Sequence, residues 1–156
     1  MLSEEEKQRL RSGEIVDPSR LRLSLFKRQL SQPGLDISAL LALAGAEPAG
    51  ATRTDMLRRL ARCAGLDRWR LQVLSMSPLY QDAGLQRELH KQSLLRTLRQ
   101  DEADEAVLRD ALASNDPDLH QALLEVSGLS DDLLATLAES GATKAVRRAA
   151  RQRRTG

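Results

Sequence analysis

A Leu-rich signature returns along this chain at a near-constant spacing, and that spacing limits the folds open to it. Three segments align without gaps: Met56-Leu57-x-x-Leu60, Leu94-Leu95-x-x-Leu98 and Leu133-Leu134-x-x-Leu137. Nine residues after its last Leu, each carries Trp69, Val107 or Val146, and four residues later Val73, Ala111 or Ala150. The units are offset by 38 and then 39 residues. Recurrence at a period of roughly 20–50 residues marks repeat architectures, in which one supersecondary unit buries its apolar face against the next. Leu at i, i+1 and i+4 shares one face of a helix. A polar turn follows, such as Ser140-Gly141, with Gly141 as a helix-ending residue. A second helix then begins near Trp69, Val107 or Val146.

The rest of the composition agrees with helices. Among 156 residues there are 30 Leu, and Phe26, Trp69 and Tyr80 are the only aromatics. Leu and Ala favour helix, while the β-branched and aromatic residues that strands prefer are scarce. A chain of this length hides roughly 70% of its unfolded surface, enough for a true core. The expected fold class is therefore all-α: a short α-solenoid of HEAT- or armadillo-like helical repeats with a period of about 38 residues. The expected organisation is an N-terminal helical segment over 1–50 and a repeat region over 51–156. Its units run about 54–91, 92–130 and 131–154, in one continuous domain.

Local signals place the helices outside the repeat. Ser3-Glu4-Glu5-Glu6 reads as a capping box, with Gly13 ending that helix. Asp17-Pro18 pairs an N-cap with proline at the first helical position. Leu21 with Leu25, and Leu23 with Phe26 and Leu30, then form an apolar stripe, broken at Pro33-Gly34. Asp36 caps a helix carrying Ile37, Leu40, Leu41 and Ala44. Residues 45–51 are small and helix-breaking, and read as a linker before the repeats. In the middle unit Asp116-Pro117 opens a third helix with Leu119, Leu123, Leu124 and Val126, ended by Gly128. Ser130-Asp131-Asp132 starts the last unit, its acids at the positive end of the helix dipole.

The segments Asp132-Leu-Leu-Ala-Thr-Leu-Ala-Glu and Ala145-Val-Arg-Arg-Ala-Ala resemble HEAT-like repeats and the bacterial leucine-rich variant repeats. In those families a Leu-rich helix precedes a Val-Arg-x-Ala helix. The resemblance covers about residues 54–154 and leaves 1–50 unmatched. The usual Asp-Pro between helices occurs once, displaced, at Asp116-Pro117. The variant repeats are shorter than 38 residues, so the HEAT-like pattern fits the period better. What the resemblance implies is a non-catalytic scaffold that binds a protein or peptide on an extended surface.

Charge is strongly segregated beneath a net of +2. Residues 1–100 carry 17 basic and 11 acidic side chains; 101–143 carry Arg109 against 11 acids; 144–156 carry six basic groups and no acid. The Arg cluster at 58–70 and the C-terminal one at 144–154 offer the alternative of a nucleic-acid-binding module. In a helical tail Arg147, Arg151 and Arg154 share a face at i, i+4 and i+7. Against that alternative, no series of aromatic residues interleaves with the arginines for base stacking, and the acidic middle repels a continuous phosphate track. Cations at the negative end of the last helix, or pairing with the acidic stretch, account for the same residues.

Catalytic chemistry finds little support. His90 and His120 lie thirty positions apart, outside any metal-binding spacing. Cys63 sits in Leu60-Ala61-Arg62-Cys63-Ala64, which reads as helix interior, and as the single cysteine it forms no internal disulfide. No phosphate loop, dinucleotide turn or nucleophile elbow occurs. Asp101-Glu102-Ala103-Asp104-Glu105 lacks the spaced ligands of a calcium loop and reads as a solvated acidic turn. The expectation is no enzyme, no metal and no cofactor. The candidate binding residues are the polar groups of the second helices, Arg70, Arg109 and Arg147, with Arg151 and Arg154 from the tail. Trp69 is a possible anchor, although its alignment with Val107 and Val146 favours a core position. Self-association is open, because an uncapped repeat end exposes apolar surface. No apolar run nears the ~18 residues of a membrane span, and Met1 to Arg11 lacks the apolar region of a signal peptide. A reducing, cytoplasmic location follows as an expectation. The skew of 20 Arg to 4 Lys points to a GC-rich bacterial genome.

Overall fold

The computed structural model describes residues 3–11 and 17–155, and all regular structure among the described residues is helical. The all-α reading is correct at that level. Gly13, expected to end the first helix, lies outside the described residues. The chain divides into two compact units, Met1–Glu88 and Leu89–Gly156.

In the first unit α1 is Glu4–Arg11, α2 is Pro18–Leu30, α3 is Ile37–Ala46, α4 is Ala51–Ala61 and α5 is Arg68–Ser75. The caps are those the residue types dictate. The Asp17 carboxylate accepts the Ser19 amide at the start of α2, and Asp36 accepts the Ala39 amide at the start of α3. Each satisfies a backbone donor that the first helical turn leaves without a partner. Past α2, Gly34 takes a left-handed φ of +78°. Helices α2, α3 and α4 pack on one another around Phe26, Leu40 and the buried Met56, Leu57 and Leu60 of α4.

The expected linker over 45–51 is a fixed corner. Gly45 and Ala46 belong to α3 and Ala51 to α4, so only Glu47 to Gly50 intervene. Glu47 is buried, and its carboxylate accepts the Ser19 hydroxyl at 2.7 Å and the Arg22 Nε at 2.8 Å. The Arg53 guanidinium reaches back to the carbonyls of Ala44, Gly45 and Glu47. Helix-breaking residues mark where helices stop, but side chains 25 and 28 residues upstream decide that this break is rigid. The Arg22 and Ser19 hydrogen bonds hold the Glu47 carboxyl below its ordinary range, against the opposing effect of burial. A carboxyl depressed by folding stabilises above its unfolded value, near pH ~4, and loses that contribution as pH falls below it. Glu47→Gln is therefore expected to lower the thermal midpoint at neutral pH and to blunt the acid limb of stability, read by circular-dichroism melts across the acid range.

After α5 a 3-10 turn, Pro78–Tyr80, leads to α6, Ala83–Arg99. Tyr80 is fully buried, and its Oη donates to the Leu57 carbonyl of α4 at 2.7 Å. The turn is thereby fastened to the Leu group that opens the first aligned segment.

In the second unit α7 is Glu105–Ala113, α8 is Pro117–Leu124, α9 is Asp131–Ser140 and α10 is Lys144–Thr155. Asp104, Asp116 and Ser130 cap α7, α8 and α9. Asp116 also accepts the Lys91 ammonium at 3.1 Å, beside Asp118 at 2.8 Å. Burial opposes both charges, but the hydrogen bonds outweigh it, raising Lys91 and lowering Asp116. Leu94, Leu95 and Leu98 of α6 join Leu133, Leu134 and Leu137 of α9 in one core, with Leu119 and Leu123 from α8 and Val146 and Ala150 from α10. Helix α8 stops at Leu124, short of Gly128, whose φ of +71° makes the following turn instead. Gly141 ends α9 as expected, for a steric reason. A Cβ there would lie 2.5 Å from the Leu137 carbonyl oxygen and 2.8 Å from the Val146 side chain.

Candidate binding face on α5

Helix α5 is short and carries apolar residues on two sides. Asp67 caps it by accepting the Arg70 amide at 2.8 Å. Successive residues then turn by roughly 100°. Leu71 and Leu74 fall on one side and are buried, at 2% and 0% exposure. Trp69, Val73 and Met76, the last being the C-cap of α5, fall at i, i+4 and i+7 on the opposite side. They are 70%, 40% and 77% exposed, and among the described residues they are the large apolar side chains left in solvent. By the same geometry Arg68 and Arg70 lie on the two flanks of this stripe, both exposed.

Trp69 is therefore not a core residue, contrary to its alignment. Val146 is buried and Val107 half-buried at the corresponding positions, and Ala111 and Ala150 are fully buried where Val73 is exposed. The difference lies two and five residues further on. There α5 has Leu71 and Leu74, where α10 has Arg148 and Arg151 and α7 has Arg109 and Leu112. Helix α5 thus offers a second apolar side opposite Trp69, and that is the side it buries. The signal was legible: five apolar residues fall within 69–76, too many for the single buried side of so short a helix.

The other candidate residues are largely engaged within the chain. Arg109 pairs with Glu105 on α7 at 2.7 Å. Arg147 donates to the Gly141 carbonyl at 2.7 Å, satisfying the end of α9. Arg154 pairs with Asp131 at 3.0 Å. Arg153 donates to the carbonyls of Leu124 and Val126 after α8. Arg151 is exposed on α10. The i, i+4, i+7 set thus does not form one open cationic face, since Arg147 and Arg154 turn to the chain's own carbonyl and carboxylate. Arg70 reaches the Gly65 carbonyl only at 3.4 Å.

A second feature of the first unit is an open groove of about 640 Å³, with Lys27, Ser31, Asp55, Arg59, Arg62 and Cys63 on its walls. Arg59 is paired with Asp55 at 2.7 Å and Arg62 with Glu88 at 2.6 Å, so two of its three cations already have carboxylate partners. Cys63 is half-buried in the turn after α4, not in a helix interior, and its amide donates to the Leu60 carbonyl.

Both histidines have structural partners. His90 Nε2 meets the Asp110 carboxylate at 2.9 Å. His120 is buried; its Nδ1 accepts the Ala142 amide at 3.0 Å and its Nε2 lies 2.9 Å from the Leu112 carbonyl. An amide can only donate and a carbonyl only accept, so the proton sits on Nε2. Asp104 and Glu105 of the acidic run cap and begin α7, and Asp101 holds a left-handed φ of +56°. Among the described residues no three His, Cys, Asp or Glu side chains gather as a metal site, and no helix is long and apolar enough to cross a membrane. No family model, curated protein or solved structure matches the chain.

Proposed function

We propose that the chain is a non-catalytic protein- or peptide-binding scaffold of the HEAT-like helical-repeat type, acting in a bacterial cytoplasm. The observation that carries this reading is the solvent-facing stripe of Trp69 and Val73 on α5 with Met76 at its C-cap. Contiguous exposed apolar residues rimmed by polar ones mark interaction surfaces, and Trp, Met and Arg are enriched where proteins meet. Burial of the aligned Leu groups of α4, α6 and α9 supports the repeat reading, and α9 packs on α10 as a helix pair. Segment 1–50 then precedes a repeat region over 51–156. Nucleic-acid binding through the Arg clusters is the weaker reading, since Arg59, Arg62, Arg147, Arg153 and Arg154 are engaged within the chain.

Affinity capture from lysate with and without nuclease, at low and moderate salt, discriminates the two. A discrete protein retained by the wild type and lost with Trp69→Ser/Met76→Ser is the expected result. Nucleic acid as the only retained species, lost on nuclease treatment and indifferent to those substitutions, would contradict it.

A further inference from the structure

We infer that two copies of the chain pair through the outer face of α9 and α10, the acidic stripe of each copy against the basic stripe of the other; this stands apart from the α5 reading and does not depend on it. Leu133, Leu134, Leu137 and Ala138 bury one side of α9, and Val146 and Ala150 bury one side of α10. At roughly 100° per residue, the sides turned away from that core carry Asp132 and Glu139 on α9, and Lys144, Arg148 and Arg151 on α10. All five are exposed, and none has a partner among the described residues. Helix α9 holds no base and α10 no acid, so each stripe has one sign. The neighbouring charges are spent inside the chain: Arg147 on the Gly141 carbonyl, Arg153 on the Leu124 carbonyl and Arg154 on Asp131.

The two stripes match in length and level. Asp132 to Glu139 and Lys144 to Arg151 are both i, i+7, a rise of ~10 Å. The helices run antiparallel, joined by residues 141–143 at one end, with Arg154 meeting Asp131 at 3.0 Å at the other. Asp132 is therefore within about a turn of the level of Arg151, and Glu139 within about a turn of Lys144. A two-fold axis parallel to the helices and between them lays α9 of one copy over α10 of the other and keeps those levels. Asp132 then faces Arg151 of the other copy and Glu139 faces Lys144, each contact made twice. Arg148 comes over Thr136, whose hydroxyl donates to the Asp132 carbonyl and keeps lone pairs for a guanidinium. A two-fold axis across the helices would set like charges together, so charge selects one orientation. A polyanion is the poorer match. Phosphates laid on α10 would lie one interhelical distance, ~8–10 Å, from the α9 carboxylates and be repelled at low salt.

Exposed ion pairs are individually weak, so the pairing belongs to high protein concentration and low salt. Sedimentation equilibrium of the full chain, at up to about 1 mM protein, is expected to show a dimer whose affinity falls about tenfold between ~20 mM and ~0.3 M salt. Lys144→Glu/Arg151→Glu and Asp132→Lys/Glu139→Lys should each weaken it at least tenfold, because like stripes then meet. Mixing the two variants should restore pairing as a heterodimer, since every stripe again faces its opposite. All four sites are exposed, and helical circular-dichroism spectra check that the variants fold. Trp69→Ser/Met76→Ser should leave the dimer intact; its loss there would move the contact to α5 and overturn the proposal. A monomer at every concentration, or variants that do not recombine, would overturn it too. Retention of a single-stranded oligonucleotide, lost in Lys144→Glu/Arg151→Glu and with no dimer formed, would assign the basic stripe to nucleic acid and contradict the pairing.

Discussion

Tyr80→Ala is expected to destabilise the protein by about 3–5 kcal/mol, the cost of emptying a fully buried aromatic site. Tyr80→Phe keeps the ring and removes only the hydroxyl that donates to Leu57 of α4, at a cost of about 1 kcal/mol. Chemical denaturation of both variants checks the pair. The same residue gives stability an alkaline limit. Burial pushes the Tyr80 phenol above its ordinary range, so the folded state holds the neutral form more firmly than the unfolded chain does. That contribution is complete below the unfolded value, near pH ~10, and is lost as pH rises beyond it. The loss should vanish in Tyr80→Phe. Tyr80 is the chain's single tyrosine, so an absorbance titration follows its ionisation without interference.

His120→Leu is expected to cost about 2–4 kcal/mol, since each polar group left without its partner in a part-buried site costs roughly 1–3 kcal/mol. The two groups are the Leu112 carbonyl, in the last turn of α7, and the Ala142 amide, in the turn between α9 and α10. His120→Gln, which can restore one of the two bonds, should fall between Leu and wild type in urea midpoint. Equal stability of all three proteins would remove His120 from the framework of the second unit. Both ring nitrogens are held by backbone groups, which supports reading this histidine as a strut rather than an acid–base group.

Local rules made much of the helical framework legible. An Asp or Ser beside a helix start acts through its own backbone neighbourhood, so Asp17, Asp36, Asp116 and Ser130 fall where their residue types place them. The Leu groups of α4, α6 and α9 are buried, as their spacing on one helix face requires. What escaped the sequence depends on distant partners. Glu47 turns a stretch of breakers into a rigid corner through Ser19 and Arg22. His120 ties the end of α7 to the turn between α9 and α10, 8 and 22 residues from itself in sequence. The candidate face was legible in part: Trp69 and Arg70 belong to it or flank it, but Val73 and Met76 were hidden behind an alignment that equated α5 with α7 and α10. The C-terminal arginines drew attention as exposed charge, whereas three of them satisfy carbonyls or a carboxylate of this chain.

The central claim is that the α5 stripe, rather than the arginine-rich α10, is where the chain meets a different protein. Site-specific photocrosslinking tests it most directly, with the photoreactive residue placed at Val73 in one variant and at Arg148 in another, both exposed positions. The account predicts a discrete adduct with a different protein from position 73 and no comparable adduct from position 148. Adducts formed only from position 148, or only with nucleic acid, would contradict it.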